Sequence, residues 1–588
     1  MKFRTLRKWK DVAGSELLIY SAQLIEELLF DYSLDTYKPS AMNTSLLCQE
    51  ALVTIEDIEK GFIDKANLEY ILEELSQNLK KDLVAKSLLT IDIATCTEIL
   101  KNKHEKISEK KIILELIYSE IRLPVYRARN EHLLSEALKR NAGKNEVRGL
   151  IRSYITTFKN VGFSSTYLNT EALDYFYYGA GEISGNSDID EFIGKFHIDN
   201  QKYVAIYRAS KIFTTIKDSC KTLGIDVTDN PVDYDDHLKE KGFRLRNNDE
   251  VFVVITDIEA MEHYTARENS EQRIETVGTL LTLFHHKEHP SWKQECIIIN
   301  LDQNHSRKVK APINPMHRCI DLKAEKASKK LNKMINEFSL QESSFKKFAR
   351  SAELHSLALN SDSRENQMIN LWIALESLVP PSSKDKPKIA NLIDSIMPFI
   401  NLAYPNRIIE RFIADLYNWK PGALNAAVKG IPGGKLSLRI AKLLTQPKYQ
   451  AQKDKLFVDF GDFYLLRNRA FYIGQAINSG SSVSKMLKAH DERVKWQIRR
   501  IYRTRNLIVH SGITPSFTSI LIENIHDYLD VIMSTLVALA SEGVNINTIE
   551  QGFKYIELNY QSYLSAMQEK ADPFTEDDID DFLFKHTI

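Results

Sequence analysis

The chain holds only five cysteines in 588 residues, Cys48, Cys96, Cys220, Cys296 and Cys319, an odd number with no Cys-x-x-Cys pair. That argues against a disulfide framework or a thiolate zinc knuckle as an organising device, and it fits reduced thiols in a cytoplasm. Charge of one sign is equally scarce: 78 Lys and Arg against 79 Asp and Glu leave a formal net charge of -1. No global basic field draws this chain to nucleic acid, so any RNA contact must come from a local patch. Long apolar runs are missing too. The longest, Val531 to Ala540, contains Ser534 and Thr535 and is too short to span a bilayer, so no membrane partner is expected. The opening Met1 to Lys10 is basic but meets Asp11 and Gly14 without an apolar core, and does not read as a signal peptide.

What is present is a composition of 43% hydrophobic and 27% charged residues, suited to well-filled cores divided among several domains. The expected fold class is mixed and mainly α. Residues 1–159 read as a helical N-terminal module, because apolar residues recur at three and four spacings, as in Leu17, Leu18, Leu24, Ile25, Leu28 and Leu29. Residues 160–335 read as an α/β sensing domain with a mixed or partly parallel sheet. Its expected strands are Leu173 to Tyr178, Tyr203 to Tyr207, Val251 to Thr256 and Cys296 to Leu301, with a helix over Arg267 to Phe284. Residues 336–545 read as an all-α bundle, with helices expected at Lys388 to Leu402, Arg407 to Leu416 and Lys485 to Val509 among others, and 546–588 as a last helix and an acidic tail. Two segments of the bundle, Lys420 to Gly434 and Asn478 to Ser484, are rich in Gly, Pro and Ser and read as exposed loops.

The stretch with most chemistry is Tyr502-Arg503-Thr504-Arg505-Asn506-Leu507-Ile508-Val509-His510-Ser511-Gly512. RNA carries its own nucleophile, the 2′-hydroxyl, so a base near that hydroxyl and a fixed cation near the phosphate can cut it without a metal. An unperturbed imidazole has its pKa near neutrality, so the side chain of His510 is of the type that can take or give the proton. Arg505 stays charged, and its planar fork matches phosphate oxygens. Asn506 adds an amide that could orient the backbone or the Arg. Lys495, Arg499 and Arg503 recur at helical spacing upstream and continue that face as a phosphate track. Residues five apart on an ideal helix point about 140° away from each other, so the helix is expected to end or bend between Arg505 and His510, with Gly512 and Pro515 as the stop. A solvated helix end, its cations suited to the dipole, would carry the same residues. Arg127 to His132 and Arg350 to His355 repeat the spacing without the Asn after the Arg or the Gly and Pro stop.

Together with Asn370-Leu371-Trp372-Ile373-Ala374-Leu375-Glu376-Ser377-Leu378 upstream, this stretch resembles the HEPN superfamily, most closely its ApeA-like branch of bacterial anti-phage proteins. The resemblance covers about residues 340 to 545. It implies an all-α dimer whose paired Arg-x-x-x-x-His motifs form one cleft for metal-independent RNA cleavage. It matches Arg505 and His510 to the catalytic pair, Asn506 to the polar residue after the Arg, and Glu376 to the acidic residue of the first long helix. The expected function is a cytoplasmic endoribonuclease of an abortive-infection defence system, needing no cofactor and no metal. Its expected partners are RNA, with tRNA a candidate, a second copy of the chain, and a phage-derived trigger. The rival is a non-catalytic RNA- or nucleotide-binding protein in which the same helix only grips phosphate.

Weaker motifs complete the reading. Gly179 to Asp190 faintly resembles the Gly-Ser loop and Asp-x-Asp pair of minimal nucleotidyltransferases, although Asp190-Glu191-Phe192-Ile193 fits a helix start better. His285 and His289 could share a helix face as ligands, or simply end a helix before Pro290. Trp372 lies at core spacing and reads as packing. Arg467-Asn468-Arg469 could add phosphate contacts or lie on a surface helix. The tail, with Asp572, Glu576, Asp577, Asp578, Asp580 and Asp581, is expected to cover the Lys495 to Arg505 face and restrain cleavage.

Overall fold

Leu17, Leu18, Leu24, Ile25 and Leu28 all bury on one side of α1 (Glu16–Phe30), as their spacing requires. The computed structural model describes residues 1–30, 38–61, 65–319, 321–381, 387–541, 544, 546–570 and 573–584. It is mainly helical, 67% helix against 8% strand. Two compact units emerge, one formed by Met1–Thr156, Glu182–Ser187 and Asn314–Ile588 and the other by Thr157–Gly181 and Asp188–Ile313. The helices read as an N-terminal module thus cluster with the C-terminal helices.

After α1, Asn43 caps α2 (Thr44–Glu59) by accepting from the Leu46 N–H, and α3 (Ala66–Leu79) follows. Helices α4 to α8 occupy residues 83–161.

The second unit begins with α9 (Ser165–Leu173). The expected strand at Leu173 to Tyr178 is instead one π-helical turn, Asp174–Tyr178. Its Tyr175, Phe176 and Tyr177 are buried, Phe176 against Phe192 of α10 (Ile189–Gly194), so packing of the aromatic run overrides its strand propensity. The remaining elements are β1 (Gln201–Ser210), α11 (Ile212–Thr215), α12 (Lys217–Thr222), β2 (Ile225–Thr228), α13 (Asp235–Glu240), β3 (Glu250–Ala260), α14 (His263–Leu281), β4 (Trp292–Asn300) and β5 (His305–Lys310). They build one sheet of order β2-β3-β1-β4-β5, and every pairing is antiparallel, which corrects the expected mixed or partly parallel arrangement. Central β1 buries residues on both faces: Ala205, Tyr207 and Ala209 pack with Ala266, Ile274 and Val277 of α14, and Val204 and Ile206 with Leu238 of α13 and Phe243.

The first unit resumes with α15 (Ala324–Glu337), α16 (Glu342–Leu359) and α17 (Arg364–Leu378). Next comes α18 (Lys388–Trp419), which joins the two helices expected on either side of Pro405. Pro398 and Pro405 are buried inside it, so surrounding packing offsets the lost ladder bonds. Then follow α19 (Pro421–Ala427), α20 (Leu436–Thr445), α21 (Gln450–Asp459), α22 (Tyr464–Ala476), α23 (Gly480–Ser511), α24 (Thr518–Ser541), α25 (Ile549–Glu569) and α26 (Glu576–Phe584). The two segments read as exposed loops are thus partly helical, in α19 and the first turn of α23. Gly480 is required there: a Cβ on it would lie 2.4 Å from the Met567 carbonyl oxygen of α25. Gly480→Ala should therefore lower stability by about 1–3 kcal/mol, read as a lower urea midpoint with an unchanged slope.

Candidate functional site

Helix α23 positions the Arg and His motif. Ser479 caps it by accepting from the Ser482 N–H, and Val494, Ile498, Ile501, Thr504 and Ile508 form its buried stripe. It ends at Gly512, whose left-handed φ of 64° lets its N–H reach the Ile508 carbonyl at 3.2 Å. The stop falls where Gly512 predicts, but it comes after His510. The helix is therefore unbroken across both residues, contrary to the bend the sequence suggested.

That continuity decides the geometry. Arg505 sits four residues after Ile501 and three before Ile508, on the flank of the buried stripe, and is half-buried. Its Nη1 donates to Asn506 Oδ1 at 3.1 Å, while its Nε is buried without an acceptor. His510 lies about 180° around the helix from Ile501 and is exposed. The two groups do not share a face of one chain.

The outward face leading to His510 is met by the N-terminal helices. Arg499 lies over the Tyr70 ring of α3, 3.0 Å from its centroid. Arg503 pairs with Glu50 of α2 at 3.0 Å. Arg500, which the sequence reading passed over, is buried and pairs with Glu74 at 2.6 Å and Glu50 at 3.2 Å. Lys495 pairs with Asp491 one turn back at 2.6 Å. The three cations of the expected phosphate track, Lys495, Arg499 and Arg503, thus all have partners within the chain.

Helix α17 runs antiparallel to the end of α23. Trp372 is buried with its ring centroid 5.4 Å from that of Tyr502, and Glu365 accepts from the Thr514 hydroxyl at 2.6 Å. Burial raises the Glu365 carboxyl, but bonds from Thr514 and Ser363 outweigh it and leave it below its ordinary value. Glu376 is exposed on the same helix.

The weaker motifs resolve by placement. Asp190 lies in the first turn of α10, a helix start that offers no strand for paired carboxylates. His285 and His289 follow the end of α14 and are both exposed, so no single helix face presents them. Arg469 is buried against Glu27 and Asp415, whereas Arg467 pairs with Glu16 at 3.3 Å. Asp572 lies outside the described residues. The described part of the tail pairs through Asp580 with Lys442 of α20 at 3.1 Å and through Glu576 with Lys448 at 3.4 Å. This corrects the expected cover over Lys495 to Arg505.

Two features escaped the sequence. In the sheet unit, a cavity of about 160 Å³ is lined by Lys195, His197, His263, His305 and Arg307. Burial pushes the His263 imidazole down to about 3, with Arg307 and His305 adding to the effect, so it is neutral in a cavity that Lys195, Arg307 and Glu262 also line. In the helical unit, His355, His526 and Asp530 converge; the signal was the His and Asp four apart on one helix.

No family model matches the chain, and neither does any curated protein or solved structure. Among the described residues, no helix is long and apolar enough to cross a membrane.

Proposed function

We propose that the chain is a metal-independent endoribonuclease, of the HEPN type that its motif resembles, acting in bacterial anti-phage defence. The observation that supports this most is the condition of Arg505. Among the described residues, Arg499, Arg500 and Arg503 are taken up by a ring or carboxylates, while Arg505 meets only the Asn506 amide, five residues from the exposed His510. An uncompensated guanidinium costs stability and repays it where an anion binds. His510 takes the proton from the RNA 2′-hydroxyl, that oxygen attacks phosphorus, and Arg505 holds the phosphoryl oxygens as charge builds. The 5′-oxygen leaves, and the product carries a 2′,3′-cyclic phosphate.

Because the unbroken α23 turns the two side chains apart, the cleft is composite. Arg505 of one copy works with His510 of a second, so a dimer holds two such clefts, and the departing 5′-oxygen takes its proton from solvent. The sheet unit, with its cavity, is the part proposed to receive the trigger. A purely phosphate-gripping helix is less well supported, since its upstream cations already have protein partners. The test is to mix Arg505→Ala and His510→Ala chains after each is shown inactive on total RNA and tRNA. In a composite site, recovery to roughly a quarter of wild-type activity is the statistical expectation for random pairing of two chains. No recovery would remove the composite cleft, and no cleavage by wild type under any trigger would leave the binding protein.

A further inference from the structure

Three side chains unused by the proposed cleavage converge between α16 and α24. His355 projects from α16, and His526 and Asp530 lie one turn apart on α24. One ligand atom from each lies within 4.8 Å of the others. His355 Nε2 is 3.6 Å from Asp530 Oδ1, and His526 Nε2 is 3.4 Å from Asp530 Oδ2. These separations are too long for good hydrogen bonds. They suit ligands around one ion instead, since bonds of about 2.0–2.2 Å in a tetrahedron put neighbouring donor atoms about 3.4 Å apart.

Burial points the same way. The His526 side chain is only 5% exposed, and His355 Nε2 is buried without a hydrogen-bond partner although it faces a carboxylate. An unpaired buried imidazole nitrogen costs stability unless something accepts its lone pair or its proton. The 3-10 turn Pro315–His317 packs on both α16 and α24. Arg407 pairs with Asp527 beside the cluster, and Arg318 with Glu523 at 3.2 Å, so nearby cations are already engaged.

We propose that His355, His526 and Asp530 form a transition-metal site of the zinc class, with the remaining position open to solvent. Two imidazoles and a carboxylate form a borderline donor set that suits Zn²⁺ better than Mg²⁺ or Ca²⁺. The ion ties α16 to α24. Nothing in this assignment depends on RNA cleavage.

The experiment uses the full chain, stripped with a chelator and titrated with Co²⁺, then Zn²⁺. One Co²⁺ per chain should bind with the visible absorption of a tetrahedral site and be displaced by Zn²⁺. Asp530→Asn, at a half-exposed position that leaves the helices intact by circular dichroism, should weaken binding by about tenfold or more, and His355→Ala likewise. Wild-type binding no tighter than that of the folded Asp530→Asn chain overturns the site.

Discussion

His510→Ala should slow RNA cleavage by about 10²–10⁴-fold, the range a positioned general acid or base supplies. The fold should hardly notice. His510 is exposed in the last turn of α23, where a cation facing the dipole contributes about 0.3–1 kcal/mol. A large loss of rate with a nearly unchanged unfolding midpoint therefore separates a reacting group from a structural one. Arg505→Lys tests the other half of the cleft, because a point charge lacks the fork that binds two phosphoryl oxygens. Arg505 is half-buried, so its rate loss must be read beside circular dichroism of the same sample. Unchanged cleavage in both variants would sink the nuclease reading.

A chelator bears on this chemistry and on the metal site differently. If Arg505 and His510 do the cutting, cleavage proceeds in EDTA for as long as the helices hold. Loss of an ion from between α16 and α24 would lower stability without removing a reacting group. The Asp530→Asn chain, folded and free of the proposed ion, should therefore still cleave RNA.

The helical periodicity that marks α14 and α17 was legible because each packs an apolar face into the core and turns a polar face outward. The strands β1, β3 and β4 were legible because they lie in the middle of the sheet and read as unbroken runs of Val, Ile and Tyr. Edge strands β2 and β5 were missed, since β5 buries only Ser306 and Val309 and looks like a charged loop. The candidate site residues other than Glu376 lie together on α23, but their engagement was not legible there. Whether Arg503 faces RNA or Glu50 depends on a helix more than 400 residues away in the chain. His355 and His526 are likewise joined only by tertiary packing, and spacing discounted His355 as part of an accidental Arg and His pair. The pattern of the 467–469 triplet shows the limit most sharply.

Arg467 and Arg469 are chemically identical and two residues apart, yet their replacement should differ several-fold in cost. Arg469 is buried on α22 with its Nη1 2.7 Å from Asp415 Oδ2 and its Nη2 on Glu27, and all three side chains are nearly inaccessible. Arg469→Ala removes the partner of buried Glu27 and one of the three cations around buried Asp415, and should cost about 3–5 kcal/mol. Arg467→Ala removes a half-exposed pair with Glu16, where solvent screening leaves about 0–1 kcal/mol. Acid should narrow the gap. Burial raises the Asp415 carboxyl, but Arg469, the amino terminus and Arg411 outweigh it and hold it below its ordinary 3.8. A carboxyl depressed in the folded state contributes stability that is present above 3.8 and lost as pH falls below it. Urea titrations at neutral pH and near pH 3 should therefore show wild type and Arg469→Ala drawing together in acid. Equal costs for the two arginines at neutral pH would mean that α1 does not dock on α22 as the buried ion pair requires.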